Sequence, residues 1–278
     1  MKNIALLIAL GLCAAACNNP TPAPAPVQPP ATDTLSKAPE TPPAIVAPAN
    51  AKLRLVVAPP AAPFPGASLV LKSTTPDAKK GEVKYEYTVG GYELKAQTPD
   101  ATTRGCANSK DGQHIHFILN NKPYLAKYEA AFSEKVDAGR NIALSFLSRS
   151  YHESLKNNKA VVVTEIMGPG EGGVQGGDLA KDPWLFYSRP KGDYKKADGD
   201  KMLLDFYLLN TDLKDKDLRV RATIDGEVWV LSQWEAYFIE GLELGKHTVR
   251  LELIDAAGNA VPGPFNDSGV REFNYLAS

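Results

Sequence analysis

The stretch Asp111–Phe132, DGQHIHFILNNKPYLAKYEAAF, has a counterpart in Leu218–Phe238, LRVRATIDGEVWVLSQWEAYF. Each begins with an alternating run. In the first, Ile115, Phe117 and Leu119 fall on one face and His114, His116 and Ile118 on the other, the period of two that a β-strand imposes. Asn120-Asn121 follows, a pair able to take the positive φ angles of a tight hairpin turn. In the second, RVRATI runs into Asp225-Gly226, a strong hairpin signal. Further along, Tyr124 pairs with Trp229, Tyr128 with Trp234 and Phe132 with Phe238. Aromatics present in both copies read as scaffold. What the first copy has alone is His114 and His116, where the second carries Arg219 and Arg221.

Working outward, EVKYEYTV places Val83, Tyr85, Tyr87 and Val89 on one face, NIALSFL reads with Ile142, Leu144 and Phe146 inward, and KAVVVTEI closes the first unit. The second unit follows the same order with WLFYSR, KMLLDFYLL, HTVRLELI (Val249, Leu251 and Leu253 inward) and GVREFNYLA. No stretch sustains a helical pattern over three turns. The expected fold is all-β: two tandem immunoglobulin-like β-sandwiches, residues 52–167 and 184–278. Residues 168–183 join them, with six glycines between Gly168 and Gly177, and read as a flexible connection. A phosphate-cradling loop would need a lysine followed by Ser or Thr, and that segment has none.

The phrase GKHTVRLELIDAAGN resembles the immunoglobulin-like and fibronectin-like sandwiches of exported bacterial proteins. Those modules share no catalytic motif, so the resemblance implies a scaffold. QHIHFILNNKPY together with FLSRSYHESL resembles a group of uncharacterised lipoproteins labelled phosphopeptide-binding, which implies an anion as ligand.

The N-terminus, MKNIALLIALGLCAAAC, has one base, an apolar run too short to span a bilayer as a mature helix, and small residues before a cysteine. Residues 1–16 read as a signal peptide, and Ala14-Ala15-Ala16-Cys17 resembles the lipobox of bacterial lipoproteins. The resemblance implies lipidation of Cys17, a membrane anchor and, with Asn18 next, a place in the cell envelope as an outer-membrane lipoprotein. Residues 17–51 carry ten prolines between Asn18 and Asn50 and read as a disordered, extended spacer. With 278 residues, 44% hydrophobic content and a net charge of -1, the chain has core enough for two small domains and no electrostatic footprint for nucleic acid. Of three cysteines, Cys13 belongs to the signal and Cys17 to the anchor, which leaves Cys106 as a free thiol.

In an immunoglobulin-like order HIHFIL is strand C and NIALSFL strand F, antiparallel neighbours. The start of C then lies beside the end of F, bringing His114 and His116 towards Arg149, Tyr151 and His152; the long loop 97–113 with Cys106 enters from the same end. Two histidines at i and i+2 of a strand can reach one ion, and a third ligand would complete a zinc or copper site. Alternatively, His, Arg149, Tyr151 and serine hydroxyls form an anion or other small-ligand site, or the histidines are a plain surface face. His247 has no clustered partner and reads as a strand-edge residue. No nucleophile elbow, H-E-x-x-H or paired-carboxylate motif is present, so a non-enzymatic binding protein is expected. The alternative is an adhesive scaffold that binds another envelope protein through its strand edges.

Overall fold

Strands with one face on a core alternate buried and open positions, and strands covered on both faces do not. Both kinds occur here. The computed structural model describes residues 43–213 and 217–278. Its strands are β1 (Ile45–Val46), β2 (Arg54–Val57), β3 (Ser68–Asp77), β4 (Glu82–Gly90), β5 (His114–Leu119), β6 (Leu125–Lys127), β7 (Ala131–Lys135), β8 (Arg140–Ser148) and β9 (Val161–Met167) in the first half. They continue as β10 (Trp184–Arg189), β11 (Gly192–Lys195), β12 (Met202–Leu209), β13 (Arg219–Ile224), β14 (Glu227–Leu231), β15 (Tyr237–Glu240), β16 (Gly245–Ile254) and β17 (Arg271–Leu276).

The first sandwich sets a β3-β4-β7 sheet against a β6-β5-β8-β9 sheet. The second sets β10-β12-β15-β2 against β1-β14-β13-β16-β17-β11. Its β10-β12-β15 and β14-β13-β16-β17 strands reproduce the order of the first, so the chain is an all-β tandem of immunoglobulin-like sandwiches. The turns are built as their residues require: Asn120 and Asn121 have φ of 52° and 54°, and Asp225 and Gly226 of 48° and 85°. No described helix is long and apolar enough to cross a membrane. The signal segment, Cys17 and the spacer up to residue 42 lie outside the described residues.

The expected boundaries shift in two places. Ile45–Val46, assigned to the spacer, pairs with β14, and Arg54–Val57, assigned to the first module, pairs with β15. The segment before the first sandwich thus adds a strand to one edge of each sheet of the second, covering backbone groups an edge would leave open. The glycine-rich segment is also held in place. Arg140 N–H donates to Gly172 O, Gly173 bridges to Arg140, and Gly177 packs so closely on Trp184 that an added Cβ would lie 2.6 Å from the indole.

The core of each sandwich follows the alternation. Val83, Tyr85, Tyr87, Ile115, Phe117 and Leu119 fill the first, and Val220, Ala222, Ile224, Val249, Leu251 and Leu253 belong to the second. Strand β8 departs from the expected phase. Its inner positions are the smaller Ala143 and Ser145, with Leu147, whereas Ile142, Leu144 and Phe146 point the other way. There they meet Ile118 and Tyr124 of their own sheet and Trp184, Phe186, Tyr207 and Phe265 of the second sandwich in one apolar cluster. The bulky face of β8 belongs to the joint between the sandwiches, which is why β5, β10 and most of β8 are buried at every position.

Phe186 is fully buried in that joint. Phe186→Ala should cost about 3–5 kcal/mol and lower the denaturation midpoint of both sandwiches together, as followed by near-ultraviolet circular dichroism. A change below about 1 kcal/mol would be that of an exposed position.

Candidate functional site: a buried three-histidine cluster

Strand β5 pairs with β8 in the register His114↔Ser148 and His116↔Phe146, which sets both imidazoles on the face turned to the second sandwich. The chain leaves β8 through Arg149, Ser150 and Tyr151 and returns over the end of the sheet at His152. Three ring nitrogens meet there. His114 Nε2 lies 3.0 Å from His116 Nε2 and 3.0 Å from His152 Nδ1, and His116 Nε2 lies 3.5 Å from His152 Nδ1. His114 and His116 are 0% exposed, and His152 is half-buried, so access is from the His152 side. The reading of these histidines as a surface face does not hold, because the second sandwich covers them.

The far nitrogens are oriented by oxygen partners. His114 Nδ1–H donates to Gly112 O at 2.8 Å, and His116 Nδ1 lies 3.2 Å from Ser188 Oγ. In the neutral tautomer set by Gly112, His114 Nε2 carries a bare lone pair aimed at its two neighbours. Burial is the main cause that moves all three histidines towards the neutral form, with Arg189 and Lys191 adding repulsion. His114 is pushed down to about 4, and His116 and His152 lie well below the ordinary histidine range.

His152 is positioned by a network of its own. Its φ is 70°, a left-handed conformation uncommon for non-glycine residues, with Asn, Asp and His the more frequent exceptions. The turn is closed by His152 N–H donating to Arg149 O and Arg149 N–H to Glu153 O. On either side, buried Glu153 joins Arg104 at 2.5 Å and Arg149 at 3.2 Å, and burial raises the Glu153 carboxyl above its ordinary range despite the two guanidiniums. From the second sandwich the fully buried Asp205 accepts from Ser154 N–H, Ser154 Oγ and Lys156 Nζ at 3.2, 2.9 and 2.7 Å.

Three expected site residues therefore stand apart from the histidines. Arg149 is engaged with Glu153, Ala62 O and Ser154 O. Tyr151 donates its hydroxyl to Asp100, and Cys106 packs with Ala101, Tyr151, Leu203, Ala236 and Phe238. The anion site built on Arg149 and Tyr151 loses both donors to these contacts. The serines of the same strand and turn are likewise engaged elsewhere: Ser145 with Tyr87, Ser148 with Arg149 O, and Ser150 with Thr98. His247 is not a bare edge residue, since its Nδ1 lies 2.6 Å from Asp225 Oδ2 and its Nε2 2.7 Å from Glu243 O.

The structure adds residues that sequence reasoning placed in the scaffold or passed over. Tyr124 stacks on His116 with ring centroids 3.6 Å apart, and its Oη lies 3.2 Å from His152 Nδ1. Arg189 donates to the same Oη, and Lys191 sits 4.0 Å over the Tyr124 ring while donating to Tyr124 O. The available signal was Tyr124 itself, a polar-tipped ring where the second copy has Trp229. Ser188, Arg189 and Lys191 come from the other sandwich and carried none.

No protein-family model and no curated protein matches the sequence. Among solved structures, fibronectin(III)-like modules of CbhA from Clostridium thermocellum align at 12% identity over 76% of this chain and 94% of that one, with a TM-score of 0.24. The central fibronectin-III array of RIM-binding protein aligns at 11% identity over 77% and 70%, with a TM-score of 0.25. The mixed-linkage glucan protein SGBP-B of Bacteroides ovatus, solved with a heptasaccharide, aligns at 14% over 74% and 47%, with a TM-score of 0.20. Likeness at this level assigns no ligand.

Two outcomes test this geometry. Glu153→Ala leaves Arg104 and Arg149 buried without their carboxylate and should destabilise the protein by about 3–5 kcal/mol in chemical denaturation. Burial raises the Cys106 thiol to about 11 and so disfavours the reactive thiolate. A disulfide reagent at pH 8 should label Cys106 slowly in the folded protein and at once after denaturation; equal rates would mean the thiol is open to solvent.

Proposed function

We propose that the chain is a non-enzymatic, extracytoplasmic metal-binding protein, anchored to the membrane through Cys17, in which His114, His116 and His152 hold a zinc or copper ion. The observation that carries this reading is the convergence of three imidazole nitrogens at 3.0, 3.0 and 3.5 Å. A neutral ring nitrogen offers one in-plane lone pair or one N–H, so the three mutual contacts cannot all be hydrogen bonds at once, although His152 Nδ1 also has Tyr124 Oη within 3.2 Å. An ion at that point satisfies all three. Tetrahedral zinc with nitrogens at about 2.0–2.1 Å has ligand edges of about 3.3–3.4 Å, so small outward shifts of the rings from 3.0, 3.0 and 3.5 Å would admit the ion. The partners Gly112 O and Ser188 Oγ are of the kind that orient metal-bound imidazoles. An all-nitrogen set suits zinc and copper, and Cys106 is not among the grouped ligand atoms.

The left-handed φ of His152 supports the same reading, because strain of this kind persists where the surroundings impose it. Because Ser188 reaches His116 from the second sandwich, the ion would sit where the two modules meet. A specific metal reader in the envelope is favoured over an adhesive scaffold by this buried constellation.

The test is calorimetric titration of the whole protein with zinc and with copper(II). One equivalent should bind, and His152→Asn, which tolerates the same backbone conformation, should weaken binding by more than about 100-fold, beyond what the loss of an outer-shell partner usually does. Cys106→Ser should bind as the parent does. Absence of bound metal, or binding indifferent to His152→Asn, would remove the proposal.

A further inference from the structure

The charge around the three imidazoles is one-sided. Lys191 Nζ stands 4.0 Å from the centre of the Tyr124 ring, and that ring stacks on His116 at 3.6 Å, which puts the ammonium within about 8 Å of the His116 ring. Arg189 is 6% exposed and donates to Tyr124 Oη, itself 3.2 Å from His152 Nδ1. Its guanidinium bonds the two phenols of Tyr124 and Tyr194, and among the described residues no carboxylate pairs with it. The neighbouring acids are engaged elsewhere. Glu153, next to His152 in the chain, is shared by Arg104 and Arg149, and Asp205 pairs with Lys156. Among the described residues, no carboxylate or thiol is grouped with the three ring nitrogens.

Repulsion from a fixed positive charge is twice as large for a doubly charged ion as for a singly charged one, and the cost of taking an ion out of water rises with the square of its charge. Neutral imidazoles offset none of that charge. The setting therefore favours a monovalent ion, and of zinc and copper only copper has a stable monovalent form, while imidazole suits both metals. We infer that Arg189 and Lys191 are specificity-determining residues, which select copper(I) over zinc at His114, His116 and His152; this rests on the three-histidine reading above. The two cations act on the ion through charge and do not ligate it. The ion enters as copper(I), three nitrogen–copper bonds form, each neutral ring keeps its remaining proton, and no electron is transferred.

The test is competition between the two metals on the whole protein. Copper(I), supplied anaerobically as its acetonitrile complex, is added to protein loaded with one equivalent of zinc, and a zinc-sensitive dye reports release. An equimolar amount of copper(I) should displace the zinc. Lys191→Met keeps an apolar stem beside Tyr124 and removes the charge, so it should raise the affinity for zinc relative to copper(I) by about tenfold. Lys191→Arg should keep the parent ratio. Zinc that holds against equimolar copper(I), or a Lys191→Met variant in which both affinities change by the same factor, would overturn the selection by charge; the second outcome is that of a merely structural lysine. Failure of both metals to bind would instead overturn the three-histidine site. Lys191 is half-buried, and the competition in the parent protein decides the matter even where the variant folds poorly.

Discussion

The burial of the outer face of one sheet against the neighbouring sandwich is the interaction on which the rest depends. The β6-β5-β8-β9 sheet would ordinarily keep one face in water, as antiparallel sheets do. Here Ile118, Ile142, Leu144 and Phe146 on that face close on Trp184, Phe186 and Tyr207. At roughly 25 cal/mol per Å² of apolar surface removed from water, aromatic rings of this size make such a joint a major source of stability. It also sets the environment of everything polar along the same face.

That environment is what gives the histidines chemical character. In contact with water, two imidazoles on a strand would be ordinary solvated groups. Beneath the second sandwich they are dry, shifted by burial towards the neutral form and oriented by Gly112 and Ser188, with ring nitrogens converging. The same dry setting requires the carboxylates and guanidiniums nearby to be paired. The Arg104–Glu153–Arg149 trio and the Asp205–Lys156 pair meet that requirement while fixing the turn that carries His152. Structural ion pairs and the candidate site are thus parts of one polar seam between two apolar cores.

Much of this was legible beforehand, and the failures share a cause. The strand HIHFIL, the Asn-Asn and Asp-Gly turns, and the adjacency of β5 and β8 follow from alternation, turn chemistry and sandwich topology. The phase of β8 did not: Ile142, Leu144 and Phe146 look like a core stripe, and they are one, facing the other sandwich rather than their own. Ile45–Val46 and Arg54–Val57 were likewise assigned by composition and position, although their partners Leu231 and Val230, and Tyr237–Glu240, lie far along the chain. Alternation reports that a face is buried and is silent about what buries it.

Taken alone, the amino-acid sequence determined the β class, the repeat of one module and the i, i+2 placement of His114 and His116, because these depend on local periodicity and on turns of a few residues. Only the tertiary structure decided that the outer face of β5 is covered, that His152 turns back to meet the pair, and that Tyr124, Ser188 and Arg189 join them while Cys106, Arg149 and Tyr151 are engaged elsewhere. Those outcomes depend on how two separately patterned sandwiches dock, and docking is set by the shape and charge of whole faces, which no short stretch of chain records.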